Sequence, residues 1–134
     1  FFDSLEGSLA HALFAIPAVK GVEFGSGFAS ADRLGSENND PYEMVQGTVR
    51  TRTNHAGGIL GGLSTGMPLL LRVVVKPTSS IAREQESISL SRRTAQRLVV
   101  TGRHDPCIVP RAVPVVEHVT AFVLADFLLR RGRS

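Results

Sequence analysis

The chain has 134 residues, 43% hydrophobic and 20% charged, a length and balance typical of a single soluble domain over residues 1–134 with its own core. Its one cysteine excludes an intrachain disulfide, and no apolar run approaches the ~20 residues that a membrane helix needs. The net charge of +3 is the sum of −3 over residues 1–67 and +6 over residues 68–134. The basic half is rich in arginine but has few aromatic side chains on which bases could stack, so a small anionic ligand is favoured over nucleic acid.

The chain is predicted to begin with a helix and a short strand. Apolar residues recur at helical spacing behind a suitable N-cap at Asp3 or Ser4, and Pro17 ends the run, so we predict a helix over 4–15. Alternating residues between two glycines predict a strand over 21–25.

The middle of the chain is predicted to hold a loop and a second strand. Residues 26–41 are rich in Gly, Ser, Asn and Asp, and 36–41 are predicted to form an exposed loop. A strand with basic residues on one face is predicted over 45–53.

The second half is predicted to contain three strands and a long helix. The apolar run 67–76 predicts a strand buried on both faces, and two weaker strands are predicted over 86–90 and 97–101. A helical period over 112–131 predicts a helix, with cationic residues in its last turn and Gly132 as its stop. This order of elements predicts an α+β fold with a mainly antiparallel sheet.

Cys107 and the beginning of the chain bear on the compartment. A lone cysteine without partners at ligand spacing predicts no metal site, and we interpret Cys107 as a small buried hydrophobic residue. No basic and apolar leader with a cleavage site is recognisable, so a cytoplasmic, reducing location is expected.

Three consecutive polar residues stand out: Arg103, His104 and Asp105. They place a guanidinium, an imidazole and a carboxylate side by side, and Pro106 restricts their backbone. This combination suits anion binding with proton chemistry, although an ordinary salt-bridged loop is equally compatible with it.

Two further segments could carry chemistry. In the glycine segment, residues 54–62, the backbone can approach a ligand closely, but a flexible loop or a tight helix contact would use the same residues. Residues 76–80, Lys-Pro-Thr-Ser-Ser, offer a cation, three hydroxyls and consecutive amides to a phosphate or a polar ring, or simply begin a capped loop.

Taken together, these segments resemble the C-terminal third of chorismate synthase. The resemblance is carried by five blocks in this order: residues 2–5, 18–23, 54–62, 76–80 and 102–114, with Arg-His-Asp-Pro-Cys and Lys-Pro-Thr-Ser-Ser the most specific. It implies a layered α+β fold of antiparallel sheets and helices, which usually assembles as a homotetramer. In this chain the 67–76 strand and the terminal helix are expected to form the core. It also implies apolar surface exposed where the rest of the family polypeptide packs.

The resemblance implies an activity and a cofactor. Chorismate synthases remove phosphate and one hydrogen from 5-enolpyruvylshikimate 3-phosphate by anti-1,4-elimination, the last step of the shikimate pathway to aromatic amino acids. They need reduced FMN without net redox change, and some relatives reduce it with NADPH.

The resemblance also assigns residues, one by one. The positions that match family flavin contacts are Gly61, Lys76, Pro77, Thr78, Ser79, Ser80 and Arg103. Arg103 would also lie near the substrate anions, and Asp105 matches the aspartate proposed to exchange a proton with flavin N5. His104 is expected either to orient its neighbours or, with slight preference, to satisfy a backbone carbonyl. Arg111 could support the same anionic pocket or form a surface or interface ion pair.

The chain departs from the family in length. Relatives are about three times longer, and their Gly-x-Ser-His-Gly and Arg-Ser-Ser-Ala blocks, with the catalytic histidines and most substrate-binding arginines, have no counterpart here. We therefore expect a piece of a chorismate synthase that cannot turn over alone. The alternative is a stand-alone flavin- or phosphate-binding module without chemistry; the start at Phe1 favours the first hypothesis.

Overall fold

A computed structural model describes residues 3–131; the expectations that rest on Phe1, Phe2 and Gly132 lie outside this range. The helices are α1 (Leu5–Phe14), α2 (Gly35–Asn38) and α3 (Val109–Arg131), with a 3₁₀ helix at Gly27–Asp32. The strands are β1 (Val19–Phe24), β2 (Tyr42–Val45), β3 (Thr48–Thr51), β4 (Ile59–Leu60), β5 (Leu63–Ser64), β6 (Leu71–Val75), β7 (Gln85–Ser89) and β8 (Thr94–Leu98). Within the described range the strands pair antiparallel, as β1 with β6, β2 with β3, β4 with β5 and β7 with β8. The α+β prediction is confirmed.

The most buried side chains lie on α1. Ser4 caps this helix, its hydroxyl accepting from the Gly7 amide at 3.0 Å, and the predicted 4–15 helix is confirmed. Leu5, Leu9 and Leu13 form its buried stripe. Leu5 and Leu9 pack with Ile59, and the half-buried side chains around this cluster are Phe24, Leu69, Val123, Leu124 and Phe127.

The expected core was only partly right: Leu69 and side chains of α3 pack against the cluster, but its buried members are on α1 and at Ile59. Among the described residues of α3 none is buried, and β6 alternates between half-buried and exposed side chains, with Val74 60% exposed. β6 has one partner strand, and no second layer covers its outer face in the described part of the chain. The apolar sequence of β6 is typical of a strand buried on both faces. In this structure only one of its faces is partly covered.

β1 and β6 form the sheet that leads to the candidate site. β1 begins two residues earlier than predicted, and Val22 pairs with Val73. Glu23 and Arg72 are cross-strand partners with 2.6 Å between Oε1 and Nε. The hydrogen bond from the Phe28 amide, followed by that from Arg72, holds the pKa of Glu23 below its usual value.

The predicted single strand over 45–53 is a hairpin. β2 and β3 are joined by Gln46 and Gly47, whose φ angles of 50° and 79° are those of a two-residue turn that follows the twist of the strands. The Gln-Gly pair carries a weaker turn signal than Asn-Gly or Asp-Gly, and this explains the missed turn.

Two other boundaries differ from prediction. The region 26–41 contains the 3₁₀ helix and α2, so the exposed loop predicted over 36–41 begins inside a helical turn. The weak strands exist as the hairpin of β7 and β8, but β8 begins three residues earlier than predicted.

The helix α3 is confirmed and begins three residues before its predicted start, with Pro114 inside it. Pro114 is the sixth residue of the helix, so its missing amide removes one intrahelical hydrogen bond, to the Pro110 carbonyl. Contrary to the expectation from the sequence, α3 is long and apolar enough to cross a membrane by length and composition, with a mean hydropathy of 1.7. One such helix is weak evidence for a membrane segment; α3 packs on α1, although only 6% of this stretch is buried among the described residues.

Candidate functional site

A cavity of about 800 Å³ lies where the loop after β6 meets the loop before α3. Its first wall consists of Val75, Lys76, Pro77, Thr78, Ile81 and Ala82. Its second wall consists of Gly102, His104, Asp105, Pro106, Cys107, Ile108 and Val109. Two segments selected from the sequence, 76–80 and 102–107, are thus brought together although the 21 residues 81–101 separate them along the chain.

The first wall is held by the β1–β6 sheet. The Lys76 amide donates to the carbonyl of Ala18 at 2.8 Å, which extends the hydrogen bonding beyond β6 into the first wall itself. Pro77 has no amide hydrogen and ends the strand at this point. The Thr78 Oγ1 atom is buried and has no hydrogen-bond partner among the described residues. A buried hydroxyl without a partner is costly, and Thr78 also lines the cavity, so its hydroxyl is a candidate ligand contact.

The second wall is held by hydrogen bonds from its own side chains. His104 Nε2 lies 3.0 Å from the carbonyl oxygen of Val100, and this confirms the preferred interpretation of His104 as the partner of a backbone carbonyl. Asp105 forms an ion pair with Arg111, which lies in the first turn of α3. Arg111 therefore contacts the predicted proton carrier directly, a connection that the sequence left open.

Several predicted site residues do not line this cavity. Gly61 lies in the turn between β4 and β5 with φ at 60°, and a Cβ added there would meet no heavy atom of the described residues within 4 Å. Ser79 and Ser80 follow Thr78 directly, and Arg103 is an exposed neighbour of His104. None of the four is among the lining residues. The prediction that Cys107 is buried was wrong, since its side chain is exposed at the rim.

The glycine segment is shaped by close backbone packing. Gly57 has φ at 69°, and a Cβ there would lie 2.3 Å from the Gly25 nitrogen. The Gly25 amide donates to the Leu70 carbonyl at 2.9 Å, and the Leu70 amide donates to the Gly57 carbonyl at 3.0 Å. Gly57 therefore serves the contact with the ends of β1 and β6, and a direct ligand contact is not needed to explain it.

Asp40 is a structural residue that sequence reasoning missed. Its carboxylate accepts from the amides of His55 and Ala56 at 2.8 Å each, and from the Thr53 hydroxyl at 2.7 Å. Burial acts to raise the pKa of Asp40, but these hydrogen bonds outweigh it and hold the pKa below the usual value. In the sequence, Asp40 stands in a polar stretch, and nothing there distinguishes an anchor from a solvated loop residue.

The arrangement of the cavity suits a ligand with both apolar parts and polar or anionic groups. Lys76 contributes a cation and Thr78 a free hydroxyl on one wall, while Asp105 contributes a carboxylate on the other. Apolar surface is added by Pro77, Ile81, Pro106 and Ile108. Ligand sites commonly combine such apolar lining with a few converging polar groups.

Comparison with known proteins gives a consistent result. The sequence model of the chorismate synthase family matches residues 1–129. A chorismate synthase of Dehalococcoides mccartyi is 58% identical over 131 residues, which are 98% of this chain and 36% of that protein. A chorismate synthase of Korarchaeum cryptofilum is 53% identical over 133 residues, 99% of this chain and 37% of that protein.

The fold comparison agrees. A solved structure titled "Crystal Structure of Chorismate Synthase" superposes with a TM-score of 0.73 at 32% identity, covering 96% of this chain and 31% of that one. The chain thus spans a little over a third of the length of the curated relatives that it matches.

Proposed function

The chain belongs to the chorismate synthase family, and we propose that it supplies part of the flavin site and one proton-carrying residue of such an enzyme. The reaction proposed for the whole enzyme, a carbon–oxygen lyase, is loss of phosphate from 5-enolpyruvylshikimate 3-phosphate to give chorismate. The observation that carries the proposal is the shared cavity of the loop after β6 and the loop before α3.

The residues of this cavity fit FMN. Its volume of about 800 Å³ falls within the range of roughly 300–1,000 Å³ that ligand sites occupy. The Thr78 hydroxyl needs a partner, and a flavin ring carries both donors and acceptors on its edge. Lys76 is placed to attract an anionic group. We propose that Lys76, Pro77 and Thr78 hold the flavin from the first wall.

The second wall supplies the proton chemistry in this proposal. Reduced FMN, when bound, supplies electron density to the substrate as its phosphate leaves and recovers it afterwards. Asp105 lies in the cavity as a carboxylate and is proposed to hold and release one proton there. Arg103 is proposed to contact the anionic groups of flavin and substrate, because a guanidinium matches phosphate and carboxylate in a planar fork.

The other proposed flavin contacts rest on the family resemblance. Ser79 and Ser80 follow a lining residue directly in the chain. For Gly61 the resemblance is the sole support, since its turn does not line the cavity. By the same resemblance we propose that residues 1–134 form one domain of a cytoplasmic enzyme that assembles as a homotetramer. In some members of the family, NADPH reduces the flavin.

Fluorescence titration tests the flavin site. FMN is titrated with the chain and with Lys76→Ala and Thr78→Val variants, each of which removes one polar group from the first wall. A lost charge-assisted hydrogen bond corresponds to about a tenfold or larger rise in Kd for the lysine variant. A smaller rise is expected for the valine variant.

The chain offers a matched control. Lys20 is its only other lysine and is exposed on β1. Lys20→Ala should bind FMN as the parent does. Equal Kd values for the parent and Lys76→Ala would refute the assignment of the first wall.

We further propose that residues 1–134 do not turn over alone. The chain spans about 36% of a typical relative and lacks the family's histidine and arginine blocks. The purified chain is assayed with chemically reduced FMN. Chorismate formation would refute the proposal that residues 1–134 do not turn over alone, and also the proposal that the histidine and arginine blocks are needed for the reaction. The alternative, a stand-alone flavin- or phosphate-binding module, predicts that no chorismate forms even when the remaining two thirds of a relative are added.

A further inference from the structure

We propose that Arg111 is a positioning residue for Asp105. Its guanidinium holds the carboxylate in the orientation and the charged state that proton exchange in the cavity requires. This inference rests on the role proposed above for Asp105. The sequence left open whether Arg111 supports the anionic pocket or forms a surface or interface ion pair. The structure shows an exposed ion pair with Asp105, and the proposal is that this pair acts at the pocket through Asp105 instead of through the substrate.

The contact joins a loop to a helix. Arg111 Nη2 donates to Asp105 Oδ2, so the cation comes from α3 and the anion from the loop before it. The Arg111 amide donates to the Ile108 carbonyl at 3.1 Å, which places this residue within the hydrogen-bonded first turn. The Asp105 carboxylate is therefore bound to a residue of α3 as well as belonging to the loop before it, and this restricts its orientation more than contacts within the loop alone would.

The loop backbone is restrained independently of Arg111. His104 is bound to the Val100 carbonyl, and Pro106 limits the backbone of Asp105. Neither contact restricts the side-chain torsions of Asp105. The ion pair with Arg111 is the contact that fixes where the carboxylate points.

The exposure of the pair separates a positioning role from a stabilising one. The side chains of Arg111 and Asp105 are 73% and 42% exposed, and ion pairs at such exposure contribute little to folding. Loss of Arg111 should therefore leave the fold intact. The charged and titratable groups facing Asp105 are Lys76 from the end of β6, His104 and Cys107 from its own loop, and Arg111 from α3.

The test uses a polypeptide of full family length that carries residues 1–134, with Arg111→Ala, Arg111→Lys and Asp105→Asn variants. Steady-state conversion of 5-enolpyruvylshikimate 3-phosphate with reduced FMN is measured as a function of pH. Arg111→Ala should lower kcat by up to about fivefold, the population change that an exposed ion pair can impose on the carboxylate, with KM nearly unchanged. The acid limb of its kcat profile should move to higher pH, because a nearby cation favours the ionised carboxylate.

Arg111→Lys should recover part of both effects, since it restores the charge without the planar fork. A second readout needs no flavin: the ¹³C carboxyl resonance of Asp105 should titrate at higher pH in Arg111→Ala than in the parent. Arg97→Ala is the matched control, because Arg97 forms an exposed ion pair with Glu84 away from the cavity, and it should change none of these values.

The outcomes distinguish this inference from the proposed function. An inactive Asp105→Asn variant together with an unchanged pH profile in Arg111→Ala would overturn the positioning role alone. A raised KM with unchanged kcat in Arg111→Ala would show that Arg111 binds the substrate anion instead, and would also overturn it. Full activity of Asp105→Asn would refute the proposed role of Asp105 itself.

Discussion

Asp40 links the polar stretch after α2 to the glycine segment through three hydrogen bonds. We predict that Asp40→Asn lowers the free energy of unfolding by about 1–3 kcal/mol at pH 7, because an amide in place of the carboxylate cannot accept from all three donors. Urea denaturation of the two proteins measures the difference. Asp126→Asn is the control, since Asp126 forms an exposed pair with Arg130 one helical turn away.

The pH dependence of stability follows from the same carboxylate. The folded-state pKa of Asp40 is lowered, so its contribution is present above the unfolded aspartate pKa of about 3.9 and is lost as the pH falls through the folded value. We predict that the stability difference between parent and Asp40→Asn shrinks as the pH falls below about 4. A difference that stays constant with pH would contradict this.

Two glycines allow steric contact to be separated from backbone conformation. Gly57 and Gly66 both have positive φ, at 69° and 84°. An added Cβ meets backbone atoms at Gly57 and open space at Gly66. We predict that Gly66→Ala costs about 1–2 kcal/mol from the left-handed conformation alone, and that Gly57→Ala costs clearly more. Equal denaturation midpoints for the two variants would show that the contact with Gly25 does not matter.

At the scale of elements, α1 carries the core and α3 covers it from one side. Leu9 is fully buried whereas Leu129 is 73% exposed. We predict that Leu9→Ala destabilises the chain by about 2–5 kcal/mol, and that Leu129→Ala changes stability by less than about 0.5 kcal/mol. Thermal unfolding monitored by circular dichroism measures both. A larger loss of stability for Leu129→Ala than for Leu9→Ala would contradict this assignment and would indicate that α3 is the centre of the core.

Elements with strong local signals could be predicted from the sequence. The Ser4 cap and the leucine spacing identify α1, and the long apolar period identifies α3. The hairpin at Gln46 could not be predicted, because its turn uses a residue that rarely adopts positive φ. For the site, residues 76–78 and 104–105 were selected from the sequence and share a cavity. The anchor Asp40 depends on partners 13 to 16 residues away, which local sequence does not encode. Asp105 and Arg111 are six residues apart, but the sequence does not decide which partner Arg111 takes.

At the scale of the whole molecule, the chain exposes much apolar surface. Phe122, Leu128 and Leu129 on α3 are 69–78% exposed, and an open groove lies between β6 and α3. We propose that the remaining two thirds of a family polypeptide covers this surface, since relatives are nearly three times as long. Exposed apolar patches of this kind drive association.

We therefore predict that the isolated chain self-associates with increasing concentration and binds a hydrophobic dye. Sedimentation velocity and dye fluorescence measure these properties. Phe122→Lys, which places a charge on the exposed face of α3, should reduce both, whereas Arg92→Lys on the exposed β7–β8 turn should not. A monomeric chain that leaves the dye unchanged would contradict the proposed cover.

The measurement that bears most directly on the proposed flavin site is a crystal structure, with FMN, of a full-length family polypeptide carrying these residues. We predict that the flavin ring lies between the Thr78 hydroxyl and the Asp105 carboxylate, with Lys76 near its anionic groups and Arg111 still bound to Asp105. A flavin bound elsewhere, with other protein side chains filling the space between these two loops, would contradict the account.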